Sequence, residues 1–180
     1  MQVQDDLTQV EDRFSLELRG REPAKVSREI EGYGQFEAEL RRDAVEMSEY
    51  YEVFYCLENT IRDLVSGILK EEFGADWWEQ ECVKPNIKNE VNSRRQKELD
   101  ASFSPRSERE IDFTTFGELS QLITDNWTQF APIFDSKAAV SRVMNELNVL
   151  RGPIAHCCLI DELEKDRLRL VVRNWLRIVS

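Results

Sequence analysis

Apolar residues step by three and four along much of this chain. Met47, Tyr50, Phe54, Leu57, Ile61, Leu64 and Ile68 form one unbroken stripe, which predicts a long amphipathic helix. Lys70 near its end and Gly74 just beyond read as a helix stop. A second pattern runs from Phe116 through Leu119, Ile123 and Trp127 to Phe130, with Pro132 closing it. A third takes in Val140, Val143, Leu147 and Leu150, with Ser136 as its N-cap. A fourth runs through Leu168, Val171, Val172, Trp175 and Ile178 or Val179. No segment alternates long enough to predict a strand. The expectation is an all-α protein, an antiparallel bundle of four main helices with an N-terminal helical extension. Aromatic residues on the stripes, such as Phe54, Trp127 and Trp175, are expected in the core.

The connections are more polar. Residues 84–112, with Pro85, Asn86, Asn89, Asn92 and a Ser-Phe-Ser-Pro-Arg-Ser stretch at 102–107, read as a partly helical insertion ending in a loop. In the first forty residues, a short helix is expected around Val10–Leu18 and a break near Gly20–Pro23. Another helix is expected from about Ser27, running into the long one although Gly32 and Gly34 weaken it. This divides the chain into an extension, 1–40, and a helical domain, 41–180.

The 180 residues suffice for one ordinary core. Charged residues make up 33% and hydrophobic ones 41%, a soluble, folded composition. The polar, acidic N-terminus is no signal peptide and no apolar run matches a membrane span, so a cytoplasmic protein without membrane attachment is expected. Cys56, Cys82, Cys157 and Cys158 include no Cys-x-x-Cys pair and have one histidine to join them. They read as reduced, mostly buried thiols, with no metal and no cofactor expected.

A net charge of −11 argues against a non-specific coat on nucleic acid. The balance is uneven, however: residues 1–50 carry 7 basic and 13 acidic side chains, whereas Lys84–Arg109 carries seven against four. Arg94, Arg95 and Lys97 in that basic stretch are candidate RNA contacts. Residues 151–180 are also basic on balance, with 6 against 4.

That last segment opens with Arg151-Gly152-Pro153-Ile154-Ala155-His156, which holds the chain's single histidine. Imidazole is the one side chain that ordinarily trades protons near neutrality, and guanidinium is a planar donor fork suited to phosphate. A lone histidine at a helix end is more often a cap or a packed residue. The local pattern favours more. Gly152 is expected to end the third helix and Pro153 to begin a new turn, folding His156 back beside Arg151, with Asn148 orienting the arginine from one turn earlier.

The segment Leu147 to His156 resembles the arginine-x4–6-histidine signature of HEPN domains, all-α bundles found in prokaryotic toxins, defence ribonucleases and RNA-processing nucleases. Tyr50–Ile68, with Leu57-Glu58-Asn59-Thr60-Ile61-Arg62, is similar to their long first helix. Phe113–Phe134, with Phe116-Gly117-Glu118-Leu119 and Asn126-Trp127, is similar to the segment before the motif helix. The pattern looks like the branch that also forms the tail domain of a nuclear messenger-RNA quality-control endonuclease. The resemblance covers roughly residues 44–179.

It implies a metal-independent endoribonuclease, in which the ribose 2′-hydroxyl attacks the adjacent phosphate. His156 would be general acid or base and Arg151 would stabilise the phosphorane. Asn148, Gly152, Glu58 and Arg62 are supporting candidates, Glu58 and Arg62 being otherwise simply ion-paired helix residues. The resemblance also implies a homodimer with two motifs facing one cleft, an RNA substrate, a toxin or antiviral-defence setting, and an antitoxin or larger defence complex as partner. Two positions depart from the pattern. Gly152 stands where active members commonly carry a polar residue, and Cys158 stands where the branch controlled by adenylylation carries tyrosine. The alternative implied is a catalytically inactive module for dimerisation, partner recruitment or nucleic-acid binding.

Overall fold

The computed structural model describes residues 30–179; the helix expected around Val10–Leu18 lies outside them. The described chain divides between Val45 and Glu46. Six α-helices are present among the described residues: α1 (Ala38–Phe73), α2 (Pro85–Asp100), α3 (Phe116–Asp125), α4 (Trp127–Phe130), α5 (Lys137–Ala155) and α6 (Glu162–Ile178). No strand occurs among the described residues. The start of the helix expected from about Ser27 also lies outside the described residues, and from Ile30 onward no helix runs on into the long one. Gly32 adopts φ +83 ahead of a 3-10 turn at Tyr33–Gln35, and α1 begins only at Ala38.

The apolar stripe of α1 lies a little off the one expected. Phe54, Leu57, Ile61, Val65 and Leu69 are buried, while Leu64 and Ile68 pack at the margin of the core. Each fully buried aliphatic side chain contributes about 1.5–3 kcal/mol. Phe54 meets Phe116 of α3 edge to face at 6.1 Å between ring centres. Helix α3 packs on α5, and α5 on α6. Trp175 of α6 is buried against Phe134, 5.7 Å between centres. Outside the helical stripes, Trp77 and Trp78 are buried in a 3-10 turn that no periodicity reveals.

The second expected helix is split. Asn126 breaks it into α3 and α4, its amide donating to the carbonyls of Leu122 and Cys82, both at 2.9 Å. An asparagine amide offers the backbone such an alternative to a continued helix. Ser136 caps α5 as expected, accepting from the Ala139 N–H. Within the insertion, α2 gives way to a loop and a 3-10 turn at Glu110–Phe113.

Only Cys82 is buried; Cys56, Cys157 and Cys158 are exposed, contrary to the expectation of mostly buried thiols. Burial raises the Cys82 pKa, and its thiol donates to the Trp77 carbonyl. No described helix is long and apolar enough to cross a membrane.

Candidate functional site

The buried face of α5, formed by Val140, Val143, Met144, Leu147 and Leu150, leaves Arg151 at its edge. From there Arg151 reaches across to α1, its Nε donating to Glu58 Oε2 at 3.0 Å. Glu58 is only 8% exposed, flanked on α1 by the core residues Leu57 and Ile61. Its other oxygen accepts from Arg62, one turn along. Arg62 also donates to the Thr114 carbonyl at 3.0 Å, while its Nε is buried without an acceptor. Burial lowers the Arg62 pKa; Glu58 and Asp112 counter this, and the charges of Arg151 and Arg106 add to it.

A third wall comes from the loop after α2. Arg106, Ser107 and Asp112 join Arg62 and Arg151 around a cleft of about 450 Å³. Tyr51, Tyr55 and Asn59 of α1 line it beside Glu58, with Ile154 and Ala155 from the end of α5. Arg109 fixes the loop, donating to Asp112 at 2.6 and 2.9 Å and to Asp63 of α1 at 2.7 Å. Burial raises the Asp112 carboxyl, but hydrogen bonds from Arg109 and Ser107 outweigh it and hold its pKa below the usual range. Three guanidiniums thus face two carboxylates in an otherwise strongly acidic protein.

His156 is placed differently from the expectation. Gly152 and Pro153 do not break α5, which runs through both to Ala155. Pro153 cannot donate to the Val149 carbonyl, but Val149 is exposed and water can satisfy it. Gly152 is not forced by sterics, because a Cβ there would meet nothing within 4 Å. Five helical steps separate Arg151 from His156, which turns their side-chain directions about 140° apart. His156 is the exposed C-cap, does not line the cleft, and its imidazole makes no hydrogen bond among the described residues.

The chain then leaves the helix in a Schellman motif, Cys158 N–H to Pro153 carbonyl at 2.8 Å and Cys157 N–H to Ile154 carbonyl at 3.3 Å. Cys157 adopts φ +56, the left-handed position usually taken by glycine.

Asn148 is exposed and makes no hydrogen bond to Arg151; Glu58 orients the arginine instead. Arg94 is spent inside the fold. It pairs with both oxygens of Glu118 at 2.8 Å and donates to the Phe113 carbonyl, while Glu118 and Thr115 form the capping box of α3. Hydrogen bonding to Glu118 raises the Arg94 pKa. Arg95 lies 3.7 Å from Glu110, and Lys97 is exposed. None of the three lines the cleft. Arg106, Asp112, Tyr51 and Tyr55 were not singled out by sequence. The two tyrosines carry a readable signal, however: an i, i+4 aromatic pair off the core stripe of an amphipathic helix.

Residues 52–180 match the family model for Swt1-like HEPN domains. The chain belongs to that family. The match begins on α1 just before Phe54 and takes in every residue of the cleft except Tyr51. No curated protein and no solved structure matches the chain. The HEPN assignment agrees with the all-helical fold of the described residues.

Proposed function

We propose that this HEPN domain is a metal-independent endoribonuclease whose site is completed by a second copy of the chain. The observation that carries this reading is the separation of the two motif residues: Arg151 lies in a cleft rich in guanidinium, while His156 projects outside it from the end of the same helix. A phosphate held by Arg151 therefore takes its imidazole from a partner, which a two-fold arrangement of two helix ends supplies. In the reaction the 2′-oxygen attacks phosphorus and the P–O5′ bond breaks, giving a 2′,3′-cyclic phosphate and a 5′-hydroxyl. The imidazole supplied by the second copy takes the 2′-hydroxyl proton and returns it to the leaving 5′-oxygen, while Arg151 balances the charge on the phosphorane. The setting is a toxin or antiviral defence acting in the cytoplasm, held in check by an antitoxin or a larger complex.

Purified protein is expected to cleave single-stranded RNA in EDTA, and His156→Ala to abolish cleavage with unchanged helix content by circular dichroism. Cleavage that persists in the variant rejects the assignment. A second reading, a non-catalytic module, is favoured by one observation: Glu58 already neutralises Arg151 and Arg62 within the cleft. Expression separates the two. Growth arrest that disappears in both Arg151→Ala and His156→Ala supports the nuclease; absence of arrest together with absence of cleavage supports the module.

A further inference from the structure

The cleft holds two groups that acid–base chemistry at a phosphate does not use. Tyr51 and Tyr55 stand one turn apart on α1, each 61% exposed, although neighbouring Phe54 is buried in the core. Their ring centres are 6.2 Å apart with planes tilted by 36°, so neither ring covers the other. Large aromatic faces left open inside a concave site are suited to a flat apolar ligand. Across the cleft, Arg106 lies 5.1 Å above the Phe113 ring, tied to Glu98 through its backbone N–H, its Nε and its Nη2. Its Nη1 has no protein partner among the described residues, and the residue lines the cleft. The side chain is thus fixed in place with one donor edge unspent. A ligand that combines a flat ring with an anion one linkage away is a nucleotide.

We propose that Tyr51 and Tyr55 form a nucleobase-stacking subsite and that Arg106 holds the phosphate next to that base, so the cleft accepts an unpaired strand and rejects a duplex. The proposal deepens the ribonuclease reading and rests on it for the identity of the strand. Duplexed bases hide the faces that stacking needs, whereas unpaired ones expose them. A cleft of about 450 Å³ is the size of a site for one small ligand, so one base is gripped and the strand continues outside. The subsite is sequence-tolerant, because every base has a π-face.

The test is fluorescence anisotropy with a labelled 2′-O-methyl oligonucleotide, which binds but lacks the attacking hydroxyl. The wild type, a Tyr51→Leu/Tyr55→Leu double variant and Arg106→Gln are each titrated with the intact strand, an abasic strand of equal length and the duplex. Leucine is a good helix former and both positions are exposed, so the fold is retained. The expected result is Kd raised at least about five-fold in the double variant, a shallower salt dependence for Arg106→Gln, and weaker wild-type binding of the abasic strand and duplex. Equal binding by wild type and double variant overturns the subsite, as does no binding by the wild type. The two readings fail separately. Cleavage with KM unchanged in the double variant keeps the ribonuclease and removes the stacking platform. Tyrosine-dependent binding without cleavage keeps the platform and removes the ribonuclease.

Discussion

Glu58 serves two arginines with unequal need of it. Arg62 has a side chain 13% exposed, and removal of Glu58 leaves that charge enclosed without its carboxylate. Arg151 is 43% exposed and can return to water. Breaking a largely buried pair from the side that strands a charge is costly, whereas an exposed partner contributes little. Glu58→Ala is therefore expected to lower stability by about 2–3 kcal/mol, and Arg151→Ala by less than about 1 kcal/mol, in urea unfolding followed by circular dichroism. The reverse order would refute this account of the cleft. It follows that loss of activity in Arg151→Ala reports on chemistry, while loss in Glu58→Ala mixes chemistry with folding.

At the scale of elements, α5 tolerates its two worst helix formers because its buried face, from Val140 to Leu150, already fixes its direction. Tertiary packing overrides propensity here, which is why the Gly-Pro pair reads as a break in the sequence and is none in the fold. With open space around Gly152, Gly152→Ala is expected to raise stability by about 0.5–1 kcal/mol, measured as a higher urea midpoint at unchanged m-value.

The long stripes of α1, α5 and α6 were legible because each buries one face on a single core. The break at Asn126 was not, since it depends on the Cys82 carbonyl 44 residues away. The cleft was half legible. Its motif arginine and the Glu58–Arg62 turn follow local spacing, but Glu58 and Arg151 meet across 93 residues, and Arg106 arrives through a loop whose path Arg109 fixes. Basic composition alone pointed to Arg94, which the fold spends on Glu118.

For the molecule as a whole, a site shared between copies makes complementation possible. If Arg151 of one subunit works with His156 of the other, mixing the inactive Arg151→Ala and His156→Ala proteins restores one intact site in each mixed dimer. Cleavage assays on the mixture are expected to recover activity that neither variant shows alone. Failure to recover it, with mixed dimers demonstrated by native mass spectrometry, would place both residues in one chain.

The Schellman motif after α5 bears on the entropy of such a union. With the Pro153 and Ile154 carbonyls bonded and Cys157 held in its left-handed turn, the backbone at His156 is already ordered before any second copy arrives. Ordering a free loop would cost about 1–2 kcal/mol for each residue, whereas freezing one side chain costs about 0.5–1.5 kcal/mol. Bringing the imidazole to a facing cleft then requires that only its two side-chain torsions be fixed.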